Sequence, residues 1–197
     1  MSGSFHQAKG RIVLTGGPGG GKTTAAELLK REFREEVVLV PEAATLLFTG
    51  GFPRSNDPFI LEATQKAIYE VQKSLEDVQN VHFPGRYLLC DRGTLDSAIY
   101  WPHGPENFLE TMGSSIESEL NRYSAVVFFQ SAAVGDSAID DGNPVRNESL
   151  SEAKTLDQEL FKIWSKHPNF HHIPHEKSFF EKIKKAFHQI EKICKES

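Results

Sequence analysis

Eight consecutive residues, Gly16-Gly17-Pro18-Gly19-Gly20-Gly21-Lys22-Thr23, satisfy the pattern G-x-x-x-x-G-K-[ST]. Wrapping a polyphosphate needs backbone N–H groups turned inward and no side chains in the way. Gly17, Pro18, Gly19, Gly20 and Gly21 meet that need. A helix that begins where the loop ends adds free N–H groups and the positive end of its dipole. Lys22 is placed to reach the β- and γ-phosphates, the Thr23 hydroxyl to ligate Mg²⁺ and Thr24 to touch the α-phosphate. The expected ligand is a nucleoside triphosphate, ATP, with Mg²⁺. A glycine-rich turn without a ligand is the plain alternative.

Three further segments carry groups suited to the same chemistry. The apolar run Leu88-Leu89-Cys90 ends in Asp91-Arg92. A carboxylate at a strand end suits a Mg²⁺ ion held through its waters, and the planar fork of Arg92 suits phosphate or hydroxyl oxygens; a surface ion pair is the other reading. Glu42, in Val40-Pro41-Glu42-Ala43-Ala44, follows a short apolar strand. It is a candidate base for the proton of an attacking hydroxyl. The alternative is a solvated acid in the first turn of a short helix, where the dipole welcomes it. Arg146 is the only arginine after Arg122 and lies between a Gly- and Asp-rich segment and a helix. A lid hinged there would deliver Arg146 to the charge that develops in phosphoryl transfer; an exposed arginine near a helix start is the alternative.

Weaker candidates are Phe52, Arg54 and Asp57, which follow Glu42 and are candidates for lining an acceptor pocket. His171 and His172 are adjacent. Neighbours on a strand point to opposite faces, so they are read as structural rather than as a metal pair.

The elements that must position these groups alternate. Strands are expected over Arg11–Thr15, Val37–Val40, Tyr87–Cys90, Ala125–Phe129 and, weakly, Phe170–Ile173. Between them fall helices. One covers Lys22–Phe33. A long one opens at Asp57-Pro58, with Ile60, Ala63, Ala67, Val71, Leu75 and Val78 as its apolar positions. Short ones cover Leu95–Tyr100, Pro105–Met112 and Ser115–Tyr123, and two more lie near Leu150–Trp164 and Phe179–Cys194. Ser131–Asn143 reads as a mobile loop. Strict alternation of strand and helix calls for an α/β fold, a parallel sheet with helices on both faces. Ligands in such sheets bind beyond the carboxyl ends of the strands, where the glycine loop, Glu42 and Asp91 all fall.

Length and composition set the bounds. A chain of 197 residues accommodates one such domain, 11–197, after a polar lead at 1–10 that is expected to be disordered. The formal net charge is −5 and no basic cluster tracks a phosphate backbone, which argues against long nucleic acid as a partner. The cysteines, Cys90 and Cys194, are far apart and lack a metal spacing, as expected for reduced thiols in the cytosol. No apolar run approaches the ~20 residues of a membrane span, and the first nine residues lack a signal-peptide core. The expected location is therefore cytoplasmic, with no membrane partner.

Taken together, TGGPGGGKTT, VPEAA, CDRGTLDSAIYW, a following apolar strand, a DG-x-x-x-R segment and a C-terminal helix pair resemble the AAA-like P-loop ATPase/kinase family that contains the ribosylnicotinamide kinase domain of NadR. VPEAA with DRG-x-x-D is also similar to the acid and DR/ER motifs of deoxynucleoside kinases. The resemblance implies a nucleotide kinase-like P-loop NTPase fold with strand order 2-3-1-4-5, and ATP with Mg²⁺. By similarity Glu42 falls on the kinase base, Asp91-Arg92 on the acid–arginine pair and Arg146 on the lid arginine. Asp96 matches the second acid of DRG-x-x-D, to which the sequence assigns no role.

The leading expectation is a kinase moving the γ-phosphoryl of ATP to the hydroxyl of a small, nucleoside-like molecule. Mg²⁺, Lys22, Arg92 and Arg146 would stabilise charge. The alternative is an ATP-hydrolysing switch that acts on a protein partner. Absence of an N-K-x-D signature argues against a GTPase, and a single late arginine argues against a monophosphate kinase. A hexameric motor would need an added helical domain.

Overall fold

Strand β1 (Gly10–Thr15) forms the middle of the sheet because Ile12, Val13 and Leu14 are apolar on both faces and fully buried. The structure, a computed structural model, describes residues 7–135 and 149–196. β1 pairs on one side with β3 (Tyr87–Asp91) and on the other with β4 (Ala125–Phe129). β2 (Val37–Val40) lies outside β3, and β5 (Phe170–Ile173) outside β4. Every pairing is parallel and the order is β2-β3-β1-β4-β5, as the family resemblance implies.

Pleating sends alternate strand residues to two separate cores. Val13, Leu88, Cys90, Val126 and Phe128 pack under α3 (Pro58–His82), α4 (Asp96–Ile99), α5 (Gly104–Thr111) and α7 (Leu150–Trp164). Ile12, Leu14, Leu89, Val127 and Phe129 pack under α1 (Lys22–Phe33) and α8 (Phe179–Glu196). Cys90 is a buried thiol whose pKa burial pushes up, so it serves as a small apolar side chain.

Two helix starts follow from local chemistry. The Asp57 carboxylate accepts hydrogen bonds from the N–H groups of Phe59 at 3.0 Å and Ile60 at 3.2 Å, with Pro58 in the first turn. Ser149 and Glu152 close a capping box at the start of α7.

The structure corrects several expectations. A helix, α2 (Ala43–Thr49), fills part of the connection after Glu42. The third short helix, α6, spans only Ile116–Leu120. The apolar stripe read along α3 is not its buried face: Ala63 and Val78 are exposed, and the buried positions are Thr64, Gln65, Tyr69, Gln72 and Glu76. The reason is that this face meets polar groups. Glu76 accepts from Arg122 Nη2 and from the Tyr123 hydroxyl, each at 2.8 Å, so its buried charge is paired. His171 and His172 need no correction: expected to be structural, they stand on β5, where His171 Nε2 lies 2.6 Å from Asn169 Oδ1 and His172 packs against Phe128 and Phe161. Of the segment expected to be a mobile loop, Ala132–Gly135 forms a 3₁₀ turn. Positions 136–148, and with them Arg146, lie outside the described residues. No helix among the described residues is long and apolar enough to cross a membrane.

Candidate active site

The glycine loop leaves the end of β1 and turns beneath β4. Gly16 has φ 130°, and a Cβ there would come within 2.1 Å of the Phe129 carbonyl oxygen, so only glycine fits. Gly21, at φ 77°, is the N-cap of α1 and has no side chain to bond the first turn. No side chain caps that turn, and a helix that starts at the end of a glycine loop is the arrangement that binds anions. Lys22 is buried and its Nζ donates to the Gly17 carbonyl oxygen at 2.7 Å, so the cation lies inside the loop.

Asp91 closes β3 beside this loop. It is 3% exposed, and its Oδ1 has no hydrogen-bond partner among the described residues. Burial pushes its pKa up, the Glu42 charge adds to that, and a hydrogen bond from the Thr23 side chain, Lys22 and Arg92 pull the other way. An orphaned, buried carboxylate oxygen beside a threonine hydroxyl is a poor resting arrangement without a cation. It fits a hard divalent ion such as Mg²⁺, which prefers oxygen ligands and retains waters.

The next residue joins two acids. Arg92 has φ 75°, a strained value for a residue with a side chain. Its N–H donates to the Leu14 carbonyl at 3.0 Å, and its own carbonyl accepts from Gln72 Nε2 at 3.3 Å, which fixes the loop. The guanidinium donates through Nε to Glu42 Oε1 at 2.5 Å and through Nη1 to Asp96 Oδ2 at 2.8 Å. Asp96 Oδ1 accepts from Thr15 Oγ1 and Trp164 Nε1, each at 2.8 Å. Asp96, to which the sequence assigned no role, therefore orients Arg92 and is itself oriented by β1 and α7.

Glu42 is the N-cap residue of α2, but its side chain makes no cap bond. Its carboxylate is 11% exposed, accepts from Arg92 and from the Thr45 hydroxyl at 2.5 Å, and lines a cleft of about 760 Å³. It is neither a helix-capping group nor a solvated acid. Thr64, Gln65 and Ile68 of α3, Tyr100, and Thr155 of α7 form much of the cleft wall. Of the weaker candidates only Arg54 reaches it, stacked over Phe48 at 4.0 Å from the ring centroid. Asp57 is spent on capping α3, and Phe52 is not among the lining residues. Polar wall residues such as Gln65 escaped notice because a buried polar residue inside a helix leaves no mark in an apolar pattern.

The structure thus brings Gly17–Gly21, Lys22, Thr23, Thr24, Asp91, Arg92 and Glu42 to one edge of the sheet, beyond the carboxyl ends of β1, β2 and β3. A family model described as AAA domain matches residues 11–182. Solved structures share the fold. Deoxyadenosine kinase from M. mycoides, solved with bound dATP, superposes with a TM-score of 0.65 at 13% identity, over 92% of this chain and 99% of that one. The NadR protein in complex with NR superposes with a TM-score of 0.72 at 16% identity, over 96% of this chain and 52% of that one, so this chain spans about half of NadR. None of the curated proteins matches the sequence.

Proposed function

The chain belongs to the AAA domain family, and from that membership and the site we propose that it is an ATP-dependent kinase for a small, neutral hydroxyl compound of nucleoside type. The observation that carries this reading is the Glu42 carboxylate, held by Arg92 at the head of the 760 Å³ cleft and at the same sheet edge as the glycine loop. A phosphoryl donor and an acceptor hydroxyl would meet there. The two solved relatives, one bound to dATP and one to NR, lend the substrate class support.

In this reading the loop N–H groups hold the triphosphate, Lys22 leaves Gly17 for the β- and γ-phosphates, and Thr24 touches the α-phosphate. Thr23 and Asp91 would hold Mg²⁺, which would supply positive charge to the triphosphate. Glu42 orients the acceptor hydroxyl and takes its proton. Arg92 steadies Glu42 and faces the charge that grows on the transferred group. Arg146 would join from the segment that precedes α7.

One competing reading is an ATP-hydrolysing switch that acts on a protein. The cleft weighs against it, since a switch has no use for an acceptor pocket beside its carboxylate. A screen of nucleosides and other hydroxyl metabolites for ATP-dependent phosphorylation, with hydrolysis followed alongside, separates the two. Transfer to an acceptor faster than hydrolysis is expected. Hydrolysis alone, stimulated by no acceptor, would give the switch the better claim.

A further inference from the structure

A side chain that no motif marks holds the entry of the glycine loop from behind. Asp157, on α7, is 3% exposed. Its Oδ1 accepts from the N–H of Gly17 at 2.9 Å and from the N–H of Ser131 at 2.8 Å. The Ser131 hydroxyl in turn donates to the Pro18 carbonyl and accepts from the Ala133 N–H at 3.2 Å. The fit is close: a Cβ on Gly17 would lie 2.7 Å from Asp157 Oδ1. One carboxylate oxygen therefore joins the start of the loop to the turn after β4, and that turn braces the loop again at Pro18.

Gly17 is gripped at both ends of its backbone. Asp157 holds its N–H, and Lys22 Nζ holds its carbonyl. The second grip is temporary if Lys22 serves a triphosphate, because the ammonium must then turn to the phosphates. We propose that Asp157 is a positioning residue that keeps Gly17 and the Ser131 turn in the phosphate-holding shape once Lys22 has left Gly17 for the triphosphate. The inference rests on the triphosphate site described under the proposed function. Its physical basis is preorganisation: a loop already held in its bound shape loses less freedom when the ligand arrives.

Calorimetric binding of a non-hydrolysable ATP analogue with Mg²⁺ to the wild-type chain, Asp157→Ala and Asp157→Asn tests it. Asparagine keeps an oxygen able to accept both N–H bonds, so it should bind within about threefold of wild type, while alanine should bind at least tenfold more weakly. Backbone hydrogen exchange in the wild-type chain gives a readout that does not depend on a variant folding: the Gly17 amide should stay protected when the analogue is bound. Wild-type affinity in Asp157→Ala, or a Gly17 amide that exchanges freely in the bound protein, overturns the role of Asp157 and leaves the triphosphate site standing. Failure of the wild-type chain to bind the analogue overturns both.

Discussion

Arg92 and Glu42, fifty positions apart in the chain, meet through Nε and Oε1 at 2.5 Å with both side chains only 11% exposed. The contact ties the end of β3 to the start of α2, and it needs the left-handed backbone at Arg92 to aim the guanidinium across the sheet edge. Asp96 takes the other side of the fork at 2.8 Å. Arg92 thus acts as a brace between two acids, and Glu42 faces the cleft in a fixed orientation.

Arg92→Lys keeps the charge and loses the fork. A single ammonium cannot serve Glu42 and Asp96 in the same geometry. Phosphoryl transfer should fall by ~10²-fold or more, in the range seen when a preorganised charge is lost. Removal of the cation altogether, in Arg92→Ala, should also cost ~3–5 kcal/mol of stability by stranding the buried acids. Turnover measurements and chemical denaturation of both variants check this; full activity in Arg92→Lys would mean that the fork is not used.

The parts of this site that a sequence displays are local ones. The glycine loop, the strand-ending Asp91 and the Glu42 turn each occupy a few adjacent residues and carry their chemistry in their spacing. The sheet was legible because its strands are short apolar runs separated by helical patterns. What joins the parts is not local. Trp164 reaches Asp96 across 68 positions, and Asp157 reaches Gly17 across 140. Nothing in a single chain marks such a pair, since an aspartate in a helix looks solvated until its partner is known. The buried face of α3 is hidden from an apolar pattern for a related reason: Thr64, Gln65, Gln72 and Glu76 are buried by polar partners and a cleft, not by apolar packing.

Lys22→Ala removes the only loop side chain that carries positive charge. Triphosphate binding should weaken and turnover should disappear. The fold should persist, because the Gly17 N–H stays with Asp157 when the Lys22 bond to the Gly17 carbonyl is lost. Binding and activity assays, with thermal melting as the control, decide it. Unchanged affinity and turnover would remove the nucleotide site as drawn.

Asp91→Asn tests the metal. If the orphaned Oδ1 is where Mg²⁺ and its waters attach, the Mg²⁺ concentration for half-maximal activity should rise in the variant. The charge removed is one that burial and Glu42 already oppose, so the folded protein should be no less stable. A Mg²⁺ titration with the same midpoint in both proteins would assign Asp91 a packing role only.

Glu42→Gln separates the acceptor side from the donor side. Glutamine retains one oxygen to accept from Arg92 Nε, and its amide nitrogen can donate to the Thr45 hydroxyl, so the local structure should survive with a cost of ~1 kcal/mol. The glycine loop and Lys22 are untouched, and ATP affinity should therefore stay at the wild-type value. Only the group proposed to take the acceptor proton is lost. Phosphoryl transfer should drop by ~10²–10⁴-fold, the usual range for a missing acid–base group, which corresponds to roughly 3–5 kcal/mol of barrier. The measurement is kcat for the acceptor found in the screen, set beside the ATP dissociation constant of the same preparation. Parallel losses in both would mean that Glu42 shapes the whole site. Wild-type transfer with wild-type binding would leave Glu42 as a brace for Arg92 alone, and the ATP-hydrolysing switch would then explain the site better than a kinase.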